Sequence, residues 1–160
     1  MLFPGLRLGY LVVPPPLSAA FVAARALADR GSPLLEQAAL ADFFAQGHFA
    51  RHVRRMRTLY AARQQVLVAA ARHDLGGLLD LPPAEAGMHL VGRLPAGVDD
   101  RAVARRAAAC GVVVTALSSL ALGPAPYPGL VLGYAATDEA EISAGVRCLR
   151  AALPAPGAPQ

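Results

Sequence analysis

The side chains of this sequence that could bind or transform a small molecule are mainly arginines. The Lys plus Arg total is 15, and every one of these residues is an arginine, because the sequence contains no lysine. A guanidinium carries a permanent charge and a planar fork of N–H donors that matches the oxygens of a phosphate. It cannot lose a proton and attack an aldehyde, as the primary amine of a lysine does. The chain can therefore bind anions, but it has no side-chain amine for a Schiff base.

Histidine and serine supply weaker candidates. His48 and His52 stand four residues apart, the spacing of a metal-binding pair, but the intervening glutamate of a metalloprotease helix is missing and no third ligand is near. His89 falls in a predicted strand, where a packed or rim histidine is more common than a catalyst. Ser118-Ser119 lacks the Gly-x-Ser-x-Gly pattern that exposes a nucleophile. We therefore predict no catalytic residue and no metal site.

A cluster of arginines lies in the longest predicted helix, with Tyr60 among them. Such a cluster could contact a nucleic-acid backbone, and the net charge of +4 agrees with that function. The apolar stripe of the same helix already explains the spacing, so a solvated or interlobe face is favoured and nucleic-acid binding stays an alternative. The arginines are Arg51, Arg54, Arg55, Arg57 and Arg63.

The composition indicates one medium-sized domain with apolar surface that a partner would cover. Hydrophobic residues make up 55% of the chain and charged residues 16%, against about 45–50% and about 25% in typical globular domains. The surplus suggests contact with another subunit or with a further part of the same polypeptide. Cys110 and Cys148 are predicted to be free thiols in a reducing compartment, and no apolar run has the length of a membrane span. We expect a cytoplasmic protein.

The elements that must position these side chains begin with a predicted strand and three helices. Leu6–Val13 has the composition of a strand that ends at a proline triplet. The helices are predicted over Leu17–Asp29, from Ser32-Pro33 to Gln46-Gly47, and over Phe49–Ala71.

The second half alternates strands and helices. Strands are predicted over Leu78–Leu81, Met88–Leu94, Val112–Thr115 and Leu130–Ala135, and helices over Asp99–Cys110 and over Asp138–Ala152 with Thr137 as the N-cap. This order predicts an α/β or α+β architecture, with a small three- or four-stranded sheet covered by helices.

The run Pro4-Gly5-Leu6-Arg7-Leu8-Gly9-Tyr10 resembles the Ser-Lys-x-x-x-Pro-Gly-Leu-Arg-Leu-Gly-Tyr signature of fold-type-I aminotransferases, which depend on pyridoxal 5'-phosphate (PLP). The resemblance implies that Arg7 binds the cofactor phosphate. It also implies a Schiff-base lysine immediately upstream of Met1, so no catalytic residue lies in this chain. In the last strand, the position of the family's carboxylate-binding arginine corresponds to Val131.

Three later blocks, which begin at ALADRGSPLLEQ, AGMHLVGRLP and PGLVLGYAATDE, resemble the aminotransferase-like domain of MocR-type regulators in the GntR family. This implies the C-terminal portion of a PLP-dependent transferase fold: residues 1–48 end the large cofactor-binding domain, 49–75 form a connecting helix, 76–153 the small domain, and 154–160 a disordered tail.

Relatives of this kind join a winged helix-turn-helix to the cofactor domain. The resemblance therefore implies a homodimer, an amino-acid or amine ligand, contact with an N-terminal portion of the same polypeptide, and DNA binding only through a domain that these residues do not include. Without the lysine, the chain is expected to be inactive alone. A free-standing, non-catalytic dimerisation or effector-binding module is the alternative.

Overall fold

The computed structural model describes residues 7–29, 31 and 33–154. It divides into two compact units, Met1–Arg57 and Thr58–Gln160, and the division falls within one long helix.

The regular elements described in the first unit are helices. Helix α1 spans Pro15–Asp29 and α2 spans Leu34–Ala45. The prediction for α1 is confirmed with a start two residues earlier, because proline is tolerated in the first turn of a helix, where its missing N–H has no intrahelical partner. At Gly47 the backbone has φ 72°, a left-handed conformation suited to glycine, and the next helix begins one residue later.

The predicted strand Leu6–Val13 is wrong for the residues that the structure describes, because residues 7–14 have no strand pairing. A strand requires hydrogen bonds from a neighbouring backbone, and apolar composition alone does not supply them. Leu6 lies outside the described residues, as do Ser32 of the second predicted helix and residues 155–160 of the predicted tail.

Helix α3 is the longest element and spans His48–Asp74, one residue earlier and three later than predicted. In the second unit its apolar stripe buries Leu67, Val68 and Ala71. This half of the helix therefore anchors the second unit.

The second unit is a three-stranded antiparallel sheet with helices on one face. The strands are β1 (His89–Arg93), β2 (Thr115–Ala116) and β3 (Gly129–Gly133), in the spatial order β1-β3-β2. Helices α4 (Asp100–Ala109) and α5 (Glu139–Ala152) complete it, with a short 3-10 helix at Leu117–Leu120. This is the α+β arrangement that the sequence predicted.

The core of this unit lies between the sheet and the helices. Leu90, Leu130 and Leu132 come from the sheet, and Val103 and Leu149 come from α4 and α5; all of them are at least 94% buried. Burying a leucine of this kind contributes about 1.5–3 kcal/mol. The unit therefore has a hydrophobic core of its own.

Two of the four predicted strands are reduced. Leu78–Leu81 forms only a single bridge, Asp80 with Arg93, because Pro82 and Pro83 follow it and cannot donate ladder hydrogen bonds. In place of the predicted strand Val112–Thr115, the structure has a two-residue strand at Thr115–Ala116. Val112 is not available for strand pairing, because its N–H donates to the carbonyl of Ala107 at the end of α4.

The predicted N-cap of the last helix is also wrong. Asp138 caps α5, and its carboxylate accepts the N–H of Glu141 at 2.8 Å while the Glu141 side chain accepts the N–H of Asp138 at 2.9 Å. Thr137 lies one residue too early for this reciprocal capping box. The cap of α4 is Asp99, at the predicted helix start.

Among the described helices, none combines the length and the apolar character that crossing a bilayer requires.

Candidate functional site

The face of the sheet opposite the core is the best candidate for a ligand site. Residues that pair directly across an antiparallel sheet project to the same face. Val131 of β3 pairs with Val91 of β1 on one side and with Thr115 of β2 on the other. Val91 is 41% exposed and Val131 is half-buried, whereas Leu90 and Leu132 on the opposite face are buried. An apolar floor with one hydroxyl therefore lies open beside the core.

Val131 occupies the middle of this floor. The resemblance places a carboxylate-binding arginine at this position, and the structure confirms that position 131 is on β3 but carries no charge there. A ligand carboxylate over the floor would need a hydrogen-bond donor from a residue other than Val131.

Two basic residues flank the floor along β1. At one end is His89, which pairs with Gly133, and at the other is Arg93, which pairs with Gly129. The Arg93 guanidinium lies over the Tyr127 ring, 4.3 Å from its centroid, in a cation–π contact. The backbone of Arg93 also exchanges hydrogen bonds of 2.8 and 2.9 Å with Asp80. Arg93 could not be recognised from the sequence, because an isolated arginine in a strand has no distinctive pattern.

His89 is held by its strand neighbour. A methyl group at position 133 would lie 3.3 Å from Cδ2 and 3.5 Å from Nε2 of His89, so the imidazole covers the space that glycine leaves open. The residue is exposed and belongs to the rim of the floor. Of the packed and rim positions that the sequence left open for His89, the structure shows the rim position.

A hydrogen-bond network behind the sheet fixes the segment before β1. Tyr134, which is 1% exposed, donates its hydroxyl to the carbonyl of Gly87 at 2.9 Å and accepts the amide of Gln64 at 3.1 Å. Gln64 in turn accepts the N–H of Ala84 at 3.3 Å, and Arg63 donates to the carbonyl of Ala135 at 2.5 Å. Helix α3 thereby positions both the entry to β1 and the exit from β3.

A second hydrogen-bond network is centred on Asp100. It connects the start of α4 with the 3-10 helix and with the first residue of β3. Asp100 is 3% exposed, and its carboxylate accepts the hydroxyl of Ser118 at 2.5 Å, the N–H of Ser118 at 3.0 Å and the N–H of Gly129 at 3.2 Å. Burial acts to raise the pKa of Asp100, but hydrogen bonds from the Ser118 hydroxyl and from the N–H groups of Ser118, Gly129 and Arg101 outweigh it and hold that pKa below its ordinary value. Asp100 is therefore an ionised structural acceptor.

Ser118 and Ser119 have structural functions. The hydroxyl of Ser118 is donated to Asp100, and that of Ser119 is donated to the carbonyl of Ala116 at 2.6 Å. Both hydroxyls are therefore donors to acceptors of the second unit.

The other side chains that the sequence singled out are not on the strands of the sheet. In the first unit, Nε2 of His48 lies 3.0 Å from the side-chain oxygen of Gln46, and its ring packs against Phe43. In the part of the chain that the structure describes, no group of three or more His, Cys, Asp or Glu residues could hold a metal. Cys110 is exposed and Cys148 is half-buried, and both are free thiols.

Arg7, the predicted phosphate ligand, is exposed and has φ 50°, a left-handed conformation that non-glycine residues rarely adopt. Pro4, Gly5 and Leu6 of its motif lie outside the described residues. An exposed guanidinium fits the phosphate of PLP, and no side chain of this sequence fits its aldehyde, because lysine is absent. The residues present therefore fit only one end of the cofactor.

Solved structures with this fold are aminotransferases. The chain is similar to LysN, an α-aminoadipate aminotransferase from Thermus thermophilus complexed with N-(5'-phosphopyridoxyl)-L-leucine, with a TM-score of 0.85 and 27% identity over 93% of this chain and 38% of that one. It also shares the fold of a multiple substrate aminotransferase from Thermococcus profundus, with a TM-score of 0.87 over 94% of this chain. The fold is that of the C-terminal part of a fold-type-I aminotransferase domain.

Sequence similarity narrows this class. The chain is 42% identical, over 95% of its length, to a probable rhizopine catabolism regulatory protein, MocR, of Rhizobium meliloti. It is 30% identical to the uncharacterised HTH-type regulator YhdI of Bacillus subtilis over 94% of the chain, and no family model matches it. The chain spans about a third of the length of these relatives, 31% and 32%. It is thus related to the MocR-type regulators of the GntR family and corresponds to the C-terminal portion of their aminotransferase-like domain.

Proposed function

We propose that these residues work as the C-terminal part of a PLP-binding, aminotransferase-like sensor domain in a MocR-type transcriptional regulator. The main support is the joint similarity in sequence to MocR over 95% of the chain and in fold to LysN over 93% of it. In this proposal residues 1–48 end the large domain, 49–75 connect the domains, and 76–153 form the small domain.

The function of Arg7 in this proposal is to hold the cofactor phosphate. Its guanidinium offers two parallel N–H donors to two phosphate oxygens, and its exposed position leaves those donors accessible. PLP supplies an electrophilic aldehyde that combines with amines. A lysine upstream of Met1 would have to provide the covalent attachment, so the chain alone is inactive.

The ligand in this proposal is an amino acid or amine. Val131 stands where the resemblance places a carboxylate-binding arginine, so the floor of the sheet has no guanidinium at this position. The ligand is therefore either an amine without a carboxylate or an amino acid whose carboxylate is bound by a different residue.

Partners and location are also part of the proposal. Leu34 and Leu35 of α2 are each 80% exposed, and no residue of α2 is buried, so this helix presents apolar surface that a second subunit or the rest of the large domain would cover. We propose a cytoplasmic homodimer that binds DNA through a winged helix-turn-helix outside these residues, in keeping with relatives described as HTH-type regulators.

The first experiment is to read the genomic DNA immediately upstream of the Met1 codon in the same frame. An in-frame Ser-Lys pair, preceded by a long open frame, is expected. A stop codon without a lysine would overturn the sensor-domain proposal and favour the free-standing effector-binding or dimerisation module, which would melt cooperatively without cofactor.

The second experiment tests Arg7 in the longer polypeptide. Arg7→Gln is expected to weaken PLP binding at least about tenfold, because a charge-assisted bidentate contact is lost. Binding is measured by the visible absorbance of the bound cofactor. Arg105→Gln, which removes an exposed arginine of α4, is the matched control and should leave PLP affinity unchanged. Equal affinities for Arg7→Gln and the parent protein would show that Arg7 is not the phosphate ligand.

A further inference from the structure

The open face of the sheet has no charged side chain at Val131 or at the positions that pair with it. The cross-strand neighbours of Val131 are Val91 and Thr115, which provide methyl groups and a hydroxyl but no charge. A carboxylate that rests on this floor needs an N–H donor within reach, because an unpaired carboxylate at an apolar surface is costly.

His89 and Arg93 are the two N–H donors that lie nearest to Val131 in the strand register, because their partners Gly133 and Gly129 each stand two residues from Val131 on β3. Diagonal neighbours of this kind have Cβ atoms within about 7–8 Å of each other. The guanidinium of Arg93 is already stacked on Tyr127, which leaves His89 as the candidate donor.

The orientation of the imidazole is set by Gly133. The ring occupies the space in which a side chain at position 133 would lie, at 3.3 Å for Cδ2 and 3.5 Å for Nε2. Gly133 thus holds a cross-strand position open for the ring, on the same edge of the floor as the exit of β3.

The histidines of the described residues differ in their polar contacts. Within the described ranges, His89 makes no hydrogen bond or ion pair, whereas His48 contacts Gln46 and His73 contacts Asp74. The other charged groups at this face are Arg93, which is stacked on Tyr127, and Asp80, which pairs with Arg93 at the far end of β1. No carboxylate occupies the positions that pair with His89 or with Val131.

We propose that His89 donates the hydrogen bond that binds the carboxylate of an amino-acid ligand on the Val91–Val131 floor, in place of a guanidinium at position 131. This inference rests on the proposed function, since it names how the ligand of that same domain is gripped. It makes His89 a binding residue and Gly133 the residue that orients it.

The test follows the imidazole signals of the 160-residue chain by NMR during titration with sodium propionate, which carries the carboxylate, and separately with propylamine, which does not. Propionate is expected to give a saturable shift of the His89 ring signals and not of those of His73, which is 86% exposed and already contacts Asp74. Propylamine should leave the His89 signals in place. Shifts that are equal for all four histidines, or equal for the two probes, would overturn the proposal.

Two variants separate binding from structure. Gly133→Val keeps the imidazole but fills its space, so propionate affinity should fall at least about tenfold while the fold is retained, because valine suits a strand. Val131→Arg restores a guanidinium to the floor and should bind propionate even when combined with His89→Gln. If Gly133→Val binds as the parent does, the ring is not the donor.

The failure of this inference and the failure of the sensor-domain proposal would be seen in different measurements. If propionate does not bind, His89 is not the carboxylate-binding residue, but the longer polypeptide can still bind PLP. Absence of an upstream lysine would remove the PLP proposal while leaving a measured carboxylate site in place.

Discussion

At the scale of single residues, the buried carboxylate of Asp100 has the greatest structural effect. It sits at the first position of α4 and accepts hydrogen bonds from Ser118 and Gly129, which belong to the segments on either side of the loop 121–128. One side chain thereby holds a helix start, the 3-10 turn and the first residue of β3. The sequence showed only an acidic residue at a helix N-terminus, since the partners are 18 and 29 residues away.

Asp100→Asn is expected to lower the free energy of unfolding by about 2 kcal/mol, because an amide cannot accept all the N–H and O–H groups that the carboxylate satisfies. Urea unfolding of the 160-residue chain measures the change. Asp80→Asn, an exposed acid of the same unit, is the control and should stay within about 0.5 kcal/mol of the parent. Equal losses for both variants would contradict the function we assign to Asp100.

The same carboxylate predicts a pH dependence. The folded-state pKa of Asp100 is lower than its ordinary value of 3.8, so the unfolded chain binds the proton more tightly than the folded chain does. The contribution to stability is therefore complete above the unfolded pKa and is lost as pH falls below about 4 and through the folded pKa. Unfolding midpoints measured downward from neutral pH should fall more steeply for the parent than for Asp100→Asn. Parallel curves would show that Asp100 has no such part in acid stability.

At the scale of elements, the start of helix α5 was predicted to within one residue from the sequence, but its N-cap was assigned to Thr137 and not to Asp138. Four acceptor-bearing side chains occur near its start, and the reciprocal bonds between Asp138 and Glu141 decide which residue is the cap. A capping box requires the two partners three residues apart, and Asp138 satisfies this rule with Glu141. The helix then buries Ile142, Val146 and Leu149 against the core.

Asp138→Ala is therefore expected to cost about 1 kcal/mol, the usual effect of losing an N-cap acceptor. Thr137→Ala is the matched control, since Thr137 is adjacent and makes no cap contact; its unfolding free energy should be close to that of the parent. Thermal or urea unfolding of the two variants distinguishes the caps. A larger loss for Thr137→Ala would reverse the assignment.

At the scale of the whole molecule, the two units differ in how they are stabilised. The unit from Thr58 onward has a closed core of leucines, valines and Tyr134. Helices α1 and α2 of the first unit leave large apolar side chains in solvent, such as Phe21 at 47% and Leu27 at 87%. Exposed apolar surface of this extent is typical of a surface that another polypeptide segment covers.

We therefore expect the 160-residue chain to self-associate, and the combined change Leu34→Glu and Leu35→Glu to shift it toward monomer. Sedimentation velocity over a range of concentrations measures this shift. Leu122→Glu, in the loop of the second unit, removes a leucine that is more exposed than Leu34 or Leu35 and should leave the association unchanged. If all these chains remain monomeric, the apolar helices do not form an interaction surface by themselves.

The sequence by itself determined the features that depend on neighbours along the chain. Helices α1 to α5 were predicted to within three residues at each end, because their periodicity, prolines and caps are local properties. Strands β1 and β3 were also predicted, since each predicted strand is a short, mainly apolar run that follows a glycine. The motif around Arg7 and the later blocks led to the aminotransferase-like class, which the structure and the relatives confirmed.

Only the tertiary structure decided what depends on residues far apart in sequence. It showed that Leu78–Leu81 packs in the core with a single bridge, that Asp100 accepts hydrogen bonds from Ser118 and Gly129, and that His89 lies over Gly133 near Val131. Strand pairing and buried polar contacts need partners tens of residues away, and hydrophobic pattern does not specify which backbone or side chain supplies them. The candidate ligand face is a product of sheet register, and register is a property of the folded chain.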